Sequence, residues 1–367
     1  MIVGQLLEGD GPGGAERLVL QFALELRRRG HDVFTVIPSG GAAWLGQEMG
    51  RLGFRWATVD RRPMFDPRVV RDLTRLFGDA GVGAIHSHEY IGVFGAAAAK
   101  RMGVPHVVTL HGSPYFAAKW RRRVAFRWAA RHSVRVVGVA RDTSTHAEQV
   151  LGLAPGSVLT VPNGIAPTPG DRALLRDSLG IEADEIVVGA VGNVSPRKNH
   201  IQLLEALAEV HARRPDVRWR MVVAGSDAGS LSAIESLAVA RGVADRVHML
   251  GHRQDPENLL AAADVFAMPS LHEGMPLAII EAMFAGLPVV ASTAGGVADM
   301  LDDGVEGHLF GVGDTPALIR ALERVLADPQ RRAVMGEAGR QRAARQFGIG
   351  PMMDAYLRLY GAPVTAP

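Results

Sequence analysis

No cysteine occurs among the 367 residues, which rules out a disulfide framework, thiolate catalysis and cysteine-ligated zinc. No stretch reaches the roughly 18 to 20 apolar residues needed to cross a bilayer, and the opening MIVGQLLEGDGPGG carries no basic segment ahead of an apolar run. The expectation is a cytoplasmic chain with no spanning helix. A formal net charge of +2 is too small to imply nucleic acid as a partner. The H-E-x-x-H spacing of a zinc site is missing. Lysine is scarce, with three residues against thirty-seven arginines.

What is present describes a folded chain, 47% hydrophobic and 21% charged, long enough for two domains. Short apolar runs alternate with helical patterns. IVGQLL, DVFTVI, FRWATV, AIHS, HVVTL, VRVVGV and SVLTV read as buried strands, with amphipathic segments between most of them. In AERLVLQFALELRRRG, Leu18, Phe22 and Leu26 form one stripe and Gly30 ends the helix. Residues 161–171, VPNGIAPTPGD, are the best linker. A second series follows: EIVVGAVG, RWRMVVAG, RVHMLG, DVFAMPS, PVVAS and GHLF. Two sets of parallel βα units predict an α/β protein of two doubly wound domains, with ligands at the C-terminal strand ends.

GDGPGG satisfies G-x-G-x-x-G through Gly9, Gly11 and Gly14, after a strand and before a helix. A dinucleotide site also needs an acid near the end of the second strand, and FTVIPSGG supplies none. Hydride chemistry is therefore disfavoured. Bare backbone at a helix N-terminus suits the close approach of a phosphate or an acceptor group. In KWRRRVAFRWAARHSVR, Lys119, Arg123, Arg127, Arg131 and Arg135 recur at i+4 beside Trp120, Val124 and Trp128. This stripe, residues 119–135, is either a solvated helix face or a peripheral contact with an anionic membrane, where each basic residue contributes about 1 kcal/mol.

GPGGAERLVLQFALELRRRGHDV, TLHGS, VPNGI, GNVSPRKNH, LGHRQD and PSLHEGMPLAIIEAMFAGLPVVASTAGGVADML occur in one order over nearly the whole chain. As an ordered set centred on E-x7-E, they resemble the retaining, nucleotide-sugar-dependent glycosyltransferases of the GT-B fold, family four. The resemblance implies two facing Rossmann-like domains with a cleft. Residues 1–166 would form the acceptor-side domain and 167–349 the donor-binding domain, with a C-terminal helix at about 350–362 packing back on the first. The co-substrate would be a UDP-, GDP-, ADP- or dTDP-linked sugar, and the acceptor a hydroxyl compound, either lipid-linked or not. No cofactor is implied, and the chain has no D-x-D, the hallmark of metal-dependent transferases.

By the same resemblance, Lys198 neutralises the donor diphosphate, which is electrostatic catalysis. Many relatives carry an arginine where Asn193 stands, leaving open whether Asn193 or Arg197 completes the clamp. Pro276 suits the first turn of a helix, which would put Glu281 about a turn and a half inside it and Glu273 in the preceding loop. Eight residues span at most about 12 Å if helical, well beyond the roughly 5 Å of a retaining glycosidase pair. That length suits one glutamate at each end of a nucleotide sugar. The resemblance gives Glu281 the ribose and Glu273 the sugar, with backbone amides of Gly274, Met275 and Leu277 between them. Pro276 has no amide to offer.

In the first domain it implies that His111 faces the donor sugar, as a catalytic residue alongside Lys198 and Glu273, and that Gly13 and Gly14 are the family's paired glycines, counted among the donor-binding residues. Asn163 and Gly164 match the motif opening the linker. His86 and His88 read as structural, and Ala140 stands where a serine is common. The implied reaction is front-side displacement with retention, in cell-surface polysaccharide, lipopolysaccharide or glycolipid synthesis. The alternatives are a nucleotide-sugar epimerase on the same fold and a non-catalytic sugar-nucleotide binding module.

Overall fold

The computed structural model describes all residues except 10, 42, 61–65, 113–114 and 362–367. Asp10 of the glycine loop, Ser113 of TLHGS and the last residue of the expected C-terminal helix therefore lie outside the described residues. The chain divides into two compact units, at Ala166/Pro167 and again at Gly348/Ile349.

The first unit holds a parallel sheet of β1 (Ile2–Leu6), β2 (Asp32–Pro38), β3 (Arg55–Val59), β4 (Val82–His88), β5 (His106–Leu110), β6 (Arg135–Gly138) and β7 (Val158–Thr160), ordered β3-β2-β1-β4-β5-β6-β7. All seven predicted strands are present. β5 is buried at every residue, but β3 and β7 are partly exposed because they are the edges, where one neighbour is missing. The helix Gly14–Arg28 buries Leu18, Val19, Phe22 and Leu26, and Gly30 follows with φ +79°, a left-handed stop.

The helix Ile349–Leu359 also belongs to this unit. Arg29, nearly buried, bonds Glu25 at 2.7 Å and pairs with Asp354. Gly164 donates its amide to Met352 Sδ at 3.2 Å. Tyr356 and Tyr360 reach the sheet through Thr109 Oγ1 (2.9 Å) and His86 Nδ1 (2.7 Å). Phe22 lies edge-on to His86, Tyr356 and Tyr360, with centroids 5.4 to 6.5 Å apart. One aromatic thus fastens the first helix, the sheet and the last helix together.

The second unit holds β8 (Ile186–Val191), β9 (Trp219–Ala224), β10 (Val247–Met249), β11 (Val265–Met268), β12 (Val289–Ser292) and β13 (Gly307–Phe310), all parallel and ordered β10-β9-β8-β11-β12-β13. All six predicted strands appear, with β10 half-exposed at an edge. Leu203, Leu207, Trp219, Leu318 and Leu322 fill the core between helices and sheet. Pro276 differs from expectation: with ψ 122° it is the extended N-cap, and the helix runs Leu277–Phe284. Glu281 is its fifth residue, little more than one turn in, because a proline ring and an extended backbone delay the first helical residue by one.

Phe22→Ala is expected to destabilise the first unit by about 3–5 kcal/mol. A lowered urea midpoint for that unit's unfolding checks it.

Candidate functional site

In each sheet the strand order reverses once, between β1 and β4 and between β8 and β11. Such a reversal opens a crevice at the C-terminal strand ends, where ligands of doubly wound sheets bind.

In the second unit the loops after β8 and β11 meet at this point. Lys198 Nζ bonds Glu273 Oε1 at 2.7 Å, with side-chain exposures of only 13% and 6%. Glu273 precedes the helix Leu277–Phe284, whose N-terminal amides and partial positive charge favour anions. Leu271 donates its amide to the Arg197 carbonyl (2.8 Å), and Gly296 donates to Gly274 (2.9 Å), so the loops after β8, β11 and β12 are laced by backbone. Glycine is required here. A methyl on Gly225 would collide with the Gly192 carbonyl, and one on Gly295, at φ +56°, with that of Glu273. Gly192 itself, at φ +148°, lies under the Lys198 side chain.

His200, beside Lys198, has its imidazole pushed down to about 4 by burial and by that lysine. It stays neutral and adds no second charge. Asn193 and Arg197 are both exposed. Met275 and Leu277 are buried, while Glu281 is half-buried.

In the first unit Gly13 is the N-cap of its helix, Gly14 the first helical residue, and the Glu16 carboxylate lies against Gly9 and Gly13. That is the third helical position, from which a glutamate can reach back over the cap. Gly164 bonds the last helix, and Ala140 caps the helix Arg141–Leu151 without a side-chain bond.

His111, just past β5, is bound twice over. Its Nε2 lies 2.8 Å from His88 Nδ1, and its amide donates to Glu89 Oε1 at 2.7 Å. Burial pushes the His111 imidazole down to about 4 and the Glu89 carboxyl up to about 8, the latter opposed in part by the His111 amide. His86 and His88 are held well below their ordinary value by burial and by neighbouring imidazoles. His86 is structural as predicted, bonded to Thr109 and Tyr360. His88, given the same reading, instead touches a candidate site residue. Glu89 was missed: it has φ +64°, and its buried Oε2 has no hydrogen-bond partner among the described residues. The sequence signal was HSHEY, two histidines two apart on one face of a strand, followed by an acid at its C-terminal end.

The basic segment also departs from expectation. Its helix runs Trp120–His132, so Lys119 is only the cap and Arg135 begins β6, off the stripe. Arg123, Arg127 and Arg131 are exposed, together with Trp120, Val124 and Trp128, while Phe126 and Ala129 face the core. Among the described residues no group of three or more acidic or histidine side chains is arranged to hold a metal ion, and no helix is long and apolar enough to cross a membrane.

The raised Glu89 carboxyl carries a pH signature. The folded chain keeps it protonated up to about 8, whereas the unfolded chain ionises it from 4.5, so its contribution to stability falls as pH rises between those values. Glu89→Gln, neutral throughout, should gain stability relative to the parent across that window and hold the gain above it. Denaturant unfolding below, within and above the window reads the difference; a constant difference overturns the assignment.

Residues 171–342 match the family model described as Glycosyl transferases group 1, and residues 12–169 match Glycosyltransferase Family 4. The D-inositol 3-phosphate glycosyltransferase of Saccharomonospora viridis is 35% identical over 307 residues, 77% of this chain and 70% of that protein. The UDP-Gal:alpha-D-GlcNAc-diphosphoundecaprenol alpha-1,3-galactosyltransferase of Escherichia coli is 30% identical over 290 residues, 75% of this chain and 74% of that protein. In three dimensions the chain matches the HepE protein of Anabaena in complex with UDP, with a TM-score of 0.85 and 24% identity, covering 98% of this chain and 100% of that one. That likeness is one of fold, two Rossmann-like units of the GT-B class.

Proposed function

We propose a function from one premise, that the chain belongs to the family 4, group 1 glycosyltransferases and is therefore a glycosyltransferase enzyme. It moves a hexose-type sugar from a nucleoside-diphosphate donor to a hydroxyl acceptor with retention of configuration. The observation that carries this reading is the Lys198–Glu273 pair, held out of water at the reversal of the second sheet beside a helix N-terminus. A lysine and a helix N-terminus at one point form a diphosphate site that needs no divalent ion.

In this reading the second unit binds the donor. Lys198 neutralises the charge that grows on the leaving diphosphate, with Asn193 and Arg197 at its exposed margin. Glu273 and the amides of Gly274, Met275 and Leu277 meet sugar and phosphate, and Glu281 takes the ribose hydroxyls. In the first unit, Gly13 and Gly14 leave room for close approach of the donor, and His111, neutral, hydrogen-bonds a sugar hydroxyl. The acceptor oxygen forms its bond to the anomeric carbon on the face from which the diphosphate leaves. The acceptor proton passes to a phosphate oxygen of the departing nucleotide, so no carboxylate nucleophile is needed.

UDP is the nucleotide of choice, because HepE was crystallised with UDP and with UDP-glucose and the E. coli relative is named for UDP-Gal. The acceptor belongs to cell-surface glycan or glycolipid synthesis at the cytoplasmic face of a membrane. The exposed arginines and tryptophans of the helix Trp120–His132 support a peripheral contact with anionic lipid there.

Lys198→Ala should lower UDP release from UDP-glucose by about 10²–10³-fold, the usual loss for one preorganised charge-stabilising group. Glu281→Ala should weaken UDP binding in calorimetry, and unchanged affinity would remove the ribose assignment. In co-sedimentation with phosphatidylglycerol vesicles, the triple change Arg123→Glu, Arg127→Glu, Arg131→Glu should leave the protein in the supernatant; equal pelleting of both proteins excludes the lipid contact.

A further inference from the structure

Parallel pairing puts Gln5, Thr35 and His86 in register across β1, β2 and β4, and His88 opposite Thr109 across β4 and β5. The result is a buried polar layer on one face of the first sheet. Within it three side chains form a line. Gln5 Oε1 lies 2.8 Å from His88 Nε2, and His88 Nδ1 lies 2.8 Å from His111 Nε2. The His88 and His111 rings are within 17° of parallel. His86, whose ring lies 4.3 Å from that of His88, does not interrupt the line, since its nitrogens bond Thr109 and Tyr360.

A neutral imidazole has one donor and one acceptor nitrogen. Burial keeps both His88 and His111 neutral, so the line has a direction. The Gln5 oxygen can only accept, so His88 Nε2 carries the proton and Nδ1 the lone pair. Two lone pairs cannot face each other at hydrogen-bond distance, so His111 Nε2 carries its proton and donates to His88. His111 Nδ1 is then left as an acceptor.

We propose that His88, itself oriented by Gln5, is a positioning residue that fixes the His111 tautomer so that Nδ1 accepts a hydrogen bond from a hydroxyl of the donor sugar. This rests on the reading of His111 given above. His88 touches no substrate; it sets which nitrogen of its neighbour is free to do so. Sugar recognition by this imidazole is then restricted to hydroxyl groups in their donor role.

Two measurements on the full chain test it. Nitrogen-15 NMR of histidine-labelled protein should show His111 protonated at Nε2 and bare at Nδ1. A protonated Nδ1 overturns the proposal without any variant. Calorimetry then separates sugar from nucleotide. His88→Leu should weaken UDP-glucose about tenfold, the usual worth of one lost hydrogen bond, while leaving UDP unchanged. His88→Asn, whose side-chain oxygen replaces the Nδ1 acceptor, should restore most of that affinity. A merely structural role predicts instead equal weakening of both ligands or of neither. If His111→Leu weakens UDP-glucose and His88→Leu does not, this inference falls alone. If His111→Leu also leaves UDP-glucose unchanged, the reading of His111 falls with it.

Discussion

The second unit is organised around two opposite charges taken almost entirely out of water. Lys198 and Glu273 come from loops 75 residues apart, and each satisfies the other at 2.7 Å. Removing one partner of such a pair leaves a bare buried charge, typically costing about 3–5 kcal/mol. The loops around it follow from that constraint. Backbone must pass close enough to bring a lysine and a glutamate together without intervening side chains. Gly192, Gly225 and Gly295 stand where any Cβ would meet a carbonyl or the lysine stem. In the function proposed above, an arriving diphosphate would enter a site whose charges are already fixed, so little reorganisation would oppose it.

The first unit uses the opposite device. Its buried layer of Gln5, His86, His88, Thr109 and His111 is polar but uncharged, because burial suppresses the protonated imidazoles. Uncharged groups avoid the desolvation cost of ions but must have partners, and Tyr356 of the last helix and Tyr360 just after it supply two of them. The aromatic contacts of Phe22 hold that helix in place. A helix far along the chain therefore satisfies hydrogen bonds in a layer that begins at Gln5.

Much of this was legible in the sequence. Continuous runs of branched apolar residues pointed to the thirteen strands found among the described residues, since strands covered on both faces need no polar alternation. Edge exposure of β3, β7 and β10 was not legible, because strand order is set by pairing across the sheet. Lys198 stood out through the scarcity of lysine after a strand, and the eight-residue spacing separated Glu273 from Glu281. The placing of His88 against His111 was hidden, as it depends on the register of β4 with β5. So was the left-handed backbone of Glu89, which carries no glycine to announce it. The basic stripe misled at its end: periodicity continued to Arg135, while Ser133 had already turned extended.

The path of the chain gives the two units unequal independence. Residues 167–348 run without interruption through the second unit, whereas the first is written in two pieces, on either side of it. The second unit is in effect a long insertion. Its gene segment can be cut out whole as a candidate free-standing protein. The first unit has no such contiguous segment, and a fragment ending at Ala166 would lack the C-terminal residues Asp354, Tyr356 and Tyr360 that partner Arg29, Thr109 and His86. Making the first unit alone calls for splicing Ala166 to Ile349 through a short linker.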